Sequence, residues 1–191
     1  ADIDKKPYPC CRTTHHAIDA AIKLRGKGIR AEDICSILVE TYDVGVLQCG
    51  FTKYPESYVE AKFSIPYTCA VAFAFGRVTQ TEFKGGLLED PLIQYLALNT
   101  KVIADELFTS RYPNQWGSRM TVQLKNGEKR VCQIDDMSGS VQCPMSRKQE
   151  KDKFVGLAGE AMEEVTAVKL MTDILSVERL TSLPSLEQKI F

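Results

Sequence analysis

One stretch restricts the fold of this chain more than any other. Residues 120–134, MTVQLKNGEKRVCQI, hold two alternating segments on either side of Asn126-Gly127. Alternation at a period of two places apolar side chains on one face of a strand. An Asn-Gly pair supplies the left-handed backbone that a two-residue type I′ turn requires, so the stretch is predicted to be a β-hairpin closed by such a turn.

Around the hairpin the apolar residues change period. Ile34 to Tyr42 (ICSILVETY) is rich in β-branched and apolar residues and predicts a strand, and Lys101 to Leu107 predicts another. Ala17, Ile18, Ala21 and Ile22 recur at helical spacing, with Thr13 or Thr14 placed to cap the helix and Gly26 and Gly28 to end it. Pro55-Glu56 can begin a second helix. A buried helix is expected around residues 64–67, kinked or restarted by Pro66 and closed by Gly76, and Asp90-Pro91 opens another through Leu98. Beyond Ser146, Phe154, Leu157, Ala158, Ala161, Met162, Val165, Val168 and Leu175 repeat every three or four residues. A chain of 191 residues is long enough to bury a core. The mixture predicts an α+β class, a small sheet with a β-hairpin covered by helices in a two-layer sandwich, plus C-terminal helices. The division expected is 1–145 for the α+β part and 146–191 for the helical segment.

Several function classes are disfavoured. The net charge is −1, with Lys and Arg interspersed among Asp and Glu, whereas nucleic-acid binding needs a basic excess. No GxGxxG, GxxxxGK[ST] or GxSxG occurs, which argues against a dinucleotide fold, a P-loop or a serine hydrolase elbow. The seven cysteines include no CxxC pair, and the only histidines, His15 and His16, would point apart on a helix; free thiols and no metal site are expected. No apolar run approaches the roughly 18 residues needed to span a bilayer, so a cytoplasmic protein without membrane contact is expected.

The chemistry concentrates in the first twenty residues. Lys6 precedes a rigid Pro7-Tyr8-Pro9, and Arg12, Thr13, Thr14, His15 and His16 cluster at a helix amino terminus. Such an end attracts anions, and two fixed cations beside it would favour a carboxylate. With an ordinary pKa of about 6.5, His15 is expected to be poised for proton transfer near neutral pH. The same residues also have structural readings: Arg12 can pair with a local acid, and the histidines can cap the helix. Ser64 and Tyr67 are read as core packing, and Cys11, beside Arg12, as a weak candidate for a reactive thiol.

Five segments in order, KPYPCCRTTHHAIDAAIKL, EAKFSIPYTCAVAFAFGRV, DPLIQYLALNTKVIADEL, RYPNQWGSRMTVQLKNGEKR and DDMSGSVQCPMSRKQEKDKF, resemble the second domain of the MmgE/PrpD family. That family includes 2-methylcitrate dehydratase, cis-aconitate decarboxylase and iminodisuccinate epimerase. The resemblance implies an α+β lid domain whose partner is an all-helical domain absent from this chain, with the final helices packing on that domain and the fragment itself inactive and self-associating into a homo-oligomer. It implies proton abstraction beside a carboxylate of a small polycarboxylate substrate, without metal or organic cofactor. Lys6 and His15 match the catalytic positions, and Arg12, Thr14 and His16 the substrate-binding ones. Val46 stands where the decarboxylase branch has a tyrosine, and SGSVQCP departs from the family's usual loop. The alternative expectation is a non-catalytic, stand-alone binding or oligomerisation module of the same fold.

Overall fold

The structure is a computed structural model that describes residues 3–179, and the chain divides into two compact units with the boundary between Pro144 and Met145. In the first unit, β1 (Ile34–Thr41), β2 (Thr100–Ala104), β3 (Ser118–Leu124) and β4 (Lys129–Ile134) form one mixed sheet in the order β2-β1-β3-β4. β1 runs parallel to β2 and antiparallel to β3, and β3 and β4 are the expected hairpin. The helices of this unit are α1 (His15–Gly26), α2 (Asp43–Cys49), α3 (Tyr58–Lys62), α4 (Ile65–Phe75), α5 (Pro91–Leu98) and α6 (Glu106–Arg111). The class is α+β, as the alternating and helical periods predict.

The buried residues of β1 explain how the sheet acquires its apolar face. Ile37, Val39 and Thr41 are buried at the two-residue period, and Ile34 is buried too although it has the opposite parity. A shift in the register with β3 between Ile34 and Ser36 makes both possible, because one extra residue turns the side chains over. Met120 and Val122 of β3 join the same cluster, which α1, α4 and α5 cover. α4 is buried on nearly all sides and so reads as uniformly apolar.

Local chemistry sets most of the ends. The Asp90 carboxylate accepts from the Leu92 and Ile93 amides (2.9 and 3.0 Å), which fixes the start of α5 where expected. Of the two readings of Pro66, the structure shows the restart: α3 ends at Lys62, Pro66 occupies the first turn of α4, where no helical bond needs its missing N–H, and the Ser64 hydroxyl caps α4 by accepting from Tyr67 N (3.0 Å). Three expectations are corrected. The strand expected to reach Leu107 stops at Ala104, because Asp105 caps α6 by accepting from Leu107 N (2.9 Å). The helix expected from Pro55 begins at Tyr58, after the Ser57 cap. The hairpin turn is not type I′. Gly127 N donates to Leu124 O (3.0 Å), only Gly127 has positive φ (89°) and Asn126 does not, so a three-residue loop ends in a left-handed glycine.

The second unit contains α7 (Arg147–Ala158) and α8 (Glu164–Leu175), which contact each other. Ser146 and Gln149 form a capping box at the start of α7. The apolar repeat read from Phe154 to Leu175 is thus interrupted between the two helices, where Ala161 and Met162 fall. Residues 180–191 of the expected helical segment lie outside the described residues.

Candidate functional site at the amino-terminal strap

Residues 4–9 run as an irregular strap, bent at Pro7–Pro9, whose contacts are mostly distant in sequence. Lys5 N donates to Gly139 O (2.8 Å), Val141 N donates to Asp4 Oδ1 (3.0 Å), and Asp4 pairs with Arg12 Nη2 (2.5 Å). Tyr8 Oη donates to Asp19 Oδ1 (2.6 Å), while Asp19 Oδ2 accepts from Ser138 N (2.7 Å). One buried carboxylate of α1 therefore holds both the strap and the 138–143 loop. Burial raises the Asp19 pKa against the opposing hydrogen bonds from Tyr8 and Ser138, and burial beside Asp19 likewise raises that of Tyr8.

Replacing Asp19 with Asn weakens the bond to the Tyr8 hydroxyl and can direct its amide at Ser138 N. Asp19→Asn is expected to lower unfolding stability by about 1–2 kcal/mol, measured in urea. A loss below about 0.5 kcal/mol would show that the strap is held without Asp19.

The candidate residues are only partly brought together. Lys6 is exposed, with Nζ 3.4 Å from Cys10 O. Arg12 is mostly buried, its guanidinium 5.9 Å from the Trp116 ring centroid. Its Nη1 is buried and has no hydrogen-bond partner. A cavity of about 280 Å³ is lined by Arg12 and Asp4 together with Asn114, Trp116, Ser140 and Gln142. Trp116 Nε1 is spent on Pro113 O (2.9 Å), so the indole presents its ring and not its donor. The loop whose departure from the family pattern was noted in the sequence thus lines this cavity.

His15, His16 and Thr14 have no exposed surface, because the amino end of α1 is buried from Thr13 onward and does not open to solvent. Thr14 does not cap α1 with its side chain. Its hydroxyl donates to Cys11 O (2.9 Å), which leaves the Cys10 thiol as donor in the 3.0 Å contact between Cys10 and Thr14. The His15 ring packs edge-on to Tyr8 (centroids 5.2 Å), and neither ring nitrogen has a hydrogen-bond partner. Burial, then Arg12 and Lys6, push its pKa down to about 3. The expectation of a histidine poised near neutral pH is therefore corrected: His15 is neutral, a proton acceptor and not a donor at pH 7.

His16 belongs to the core. The Thr41 hydroxyl donates to Gly117 O (2.8 Å), so its 3.3 Å contact with His16 Nε2 places the imidazole proton on Nε2. The ring then starts an aromatic chain: Tyr42 lies 5.7 Å away, stacks on Tyr112 at 4.6 Å, and both touch Trp116 at the cavity. Burial holds His16 near a pKa of about 3 as well. The core reading of Ser64 and Tyr67 agrees with the structure: Ser64 caps α4 and Tyr67 donates to Glu82 O (2.7 Å). Among the described residues no group of three or more His, Cys, Asp or Glu stands ready to hold a metal, and no helix is long and apolar enough to cross a membrane.

Asp19, which ties the strap to the 138–143 loop, was overlooked in the sequence. Its signal was an acid set between apolar neighbours in AIDAAI, where a solvated charge has no place. Its partners could not be read from that signal, because Ser138 is far along the chain.

The first unit is thus an α+β domain with a small cavity between the strap, the 113–116 segment and the 136–142 loop, lined by Arg12 and by the acids Asp4 and Asp136. The family model for the MmgE/PrpD C-terminal domain matches residues 8–176, and the chain belongs to that family. The match takes in Arg12, Thr14, His15 and His16 and begins just after Lys6. A comparison with curated proteins finds no match.

Proposed function

We propose that this chain forms one wall of the active site of a cofactor-independent dehydratase, decarboxylase or epimerase that abstracts a proton beside a carboxylate of a small polycarboxylate. The other wall is an all-helical domain, and the exposed Val165 and Leu175 of α8 leave apolar surface for a covering partner. The observation that carries the reading is Arg12: Asp4 takes Nη2, buried Nη1 has no partner, and the residue lines the cavity. A buried donor without a partner is costly, and an arriving carboxylate relieves it.

In this reading Arg12 fixes one carboxylate and Lys6 supplies a second positive charge for the enolate-like state that follows proton loss. His15 can accept a proton but sits behind Tyr8, so it reaches substrate only if the strap swings aside. Thr14 and His16 act from behind, by holding the backbone of Cys11 and the aromatic chain. One feature favours the alternative of a non-catalytic binding module: His15 is closed off behind Tyr8, so no exposed imidazole is in place to move a substrate proton.

Trp116, the sole tryptophan, reports on the cavity. Titrating the chain with a tricarboxylate such as citrate should change its fluorescence saturably, and Arg12→Gln should weaken the apparent affinity by about tenfold or more, the loss of a charged hydrogen bond. Turnover of polycarboxylates by the chain joined to a helical domain should fall by about a hundredfold in Lys6→Ala. Binding without turnover in any such pairing would establish the binding module instead, and no fluorescence change would remove the carboxylate site altogether.

A further inference from the structure

The sheet has two edge strands, and they are closed to different degrees. β2 is five residues long, stops at the Asp105 cap and packs against α2, α4 and α5. β4 pairs with β3 alone among the described strands, and Lys129, Arg130, Val131 and Gln133 are exposed. The ladder fixes which of its backbone groups are already bonded. Leu124 N donates to Glu128 O (2.8 Å), and residues that exchange bonds alternate with residues that do not. Arg130, Cys132 and Ile134 therefore bond β3 through Val122, Met120 and Ser118. β1 keeps the same phase: Ile37 N donates to Asn99 O (2.9 Å), away from β3, so β1 bonds β3 at its odd-numbered residues. The N–H and C=O groups of Lys129, Val131 and Gln133 point to the open edge.

An open edge is a template for another strand, and charges or proline along it commonly prevent that. Here the charges are sorted by sign instead. Lys129 and Arg130 begin β4, Asp135-Asp136 follow its end, and Val131-Cys132-Gln133-Ile134 lie between. A second copy laid antiparallel on this edge sets the basic end of each strand against the acidic end of the other. Symmetry narrows the register. Two identical antiparallel strands are related by a two-fold axis normal to the sheet, so one residue must face its own copy. With Cys132 on the axis, Lys129 lies opposite Asp135 at both ends and Val131 opposite Gln133. Those opposed residues carry the outward backbone groups. With Val131 on the axis, no opposite charges meet. With Gln133 on the axis, the ladder runs past the end of β4 to Asp136 and the buried Met137. Asp135 is suitably placed for the first register: Gln133 Nε2 and Arg111 Nη1 both donate to its Oδ1 (2.8 and 3.0 Å), which leaves Oδ2 for the partner's Lys129.

We propose that β4 is a self-association edge: two copies of this chain pair antiparallel through it, about a two-fold axis at Cys132, and join their sheets into one. The pairing satisfies the outward groups of Lys129, Val131 and Gln133 and forms two Lys129–Asp135 ion pairs between the copies. A single pair of strands buries less than a standard interface of about 1,600 Å², so the dimer forms in about the micromolar range. The two Cys132 residues face each other as a pair without hydrogen bonds, with Cα atoms about 4.5 Å apart. That spacing lies within the range a disulfide can bridge, so Cys132 is a native reporter of the register.

Sedimentation velocity of the reduced full chain across about 1–100 μM should show a monomer passing to a dimer. Val131→Pro removes an outward N–H and none of the bonds to β3, so it should abolish the dimer and leave the fold. Lys129→Glu and Asp135→Lys should each weaken association by about tenfold, because like charges then face each other at both ends. An equal mixture of these two variants should restore it: the new acid of one copy faces the new lysine of the other, and the unchanged Asp135 and Lys129 face each other as well. Oxidation of the wild-type dimer with copper–phenanthroline should link the copies through Cys132. A monomer at every concentration, a dimer that Val131→Pro leaves intact, or a link through Cys35 or Cys143 in place of Cys132 would overturn the assignment. Should Val131→Pro fail to fold, the mixture decides, and association that the mixture does not restore overturns it equally.

Discussion

Lowering the pH from 7 to 5 should cost the folded chain about 4 kcal/mol of unfolding free energy through two residues, His15 and His16. Each is fully buried and neutral, with its pKa held near 3 by burial, and for His15 also by Arg12 and Lys6. In the unfolded chain both return to about 6.5. Between these values the unfolded state binds more protons than the folded one, so stability is intact above about pH 7 and falls as the pH drops through the unfolded value. Linkage gives about 2 kcal/mol per histidine at pH 5. Against a typical total of about 5–15 kcal/mol this is a large fraction. Asp19 works in the opposite sense, since burial raises its pKa and acid relieves the cost of its charge. Glu82 is buried, but hydrogen bonds from Thr79 and Arg77 keep its pKa low, so it adds to the loss only below the ordinary glutamate range. Urea unfolding at pH 7 and pH 5 measures the difference, and His15→Gln and His16→Gln should each remove about half of it while lowering stability overall. An unchanged pH dependence in both variants would mean that the histidines are not held neutral by burial.

That prediction marks where sequence reading stopped. The types and order of Lys6, Arg12, Thr14, His15 and His16 are visible in one short string, and so is the asymmetry of charge around them. Depth is not. Whether a helix end faces water or the core depends on what packs over it, and here Tyr8 and the loop at Ser138 lie over the amino end of α1. An amino terminus read as an open anion site is therefore closed, and the unspent donor lies one step earlier, on Arg12 beside Trp116. The aromatic chain from His16 to Trp116 joins segments far apart in sequence and has no local signature.

The fold divides in the same way. α5 and the β3–β4 hairpin are written in contiguous residues, Asp90-Pro91 for one and alternation around Asn126-Gly127 for the other, and both were legible. α2 was not foreseen and α6 was merged with β2, since each is short and apolar residues resume at Leu107 just beyond the Asp105 cap. The Asn-Gly pair signalled a reversal of the chain but not which residue would take the left-handed backbone; with three residues in the loop, Gly127 alone suffices.

Gly139→Ala should destabilise the chain by about 3 kcal/mol and release the strap that carries Lys6. Gly139 has φ of 82°, which already disfavours a side chain, and a Cβ there would lie 1.9 Å from the carbonyl oxygen of Lys5 and 3.0 Å from Pro7 Cδ. The carbonyl is backbone and cannot rotate away, so either the strap or the 138–143 loop must move. Movement forfeits the Lys5 N bond to Gly139 O and strains the Val141 bond to Asp4. Gly127→Ala is the matched control: its φ is 89°, but nothing lies within 4 Å of the new Cβ, so only the backbone cost of about 1 kcal/mol applies. Urea unfolding measures the two energies, and limited trypsin digestion measures release, because Lys5–Lys6 is cleavable while the following proline protects Lys6–Pro7. Equal stability losses and equal cleavage rates in the two variants would show that the strap does not depend on this contact. If the strap is released, Asp4 leaves Arg12 and Lys6 leaves its position together, so citrate should lose its effect on Trp116 fluorescence although no residue lining the cavity has been changed.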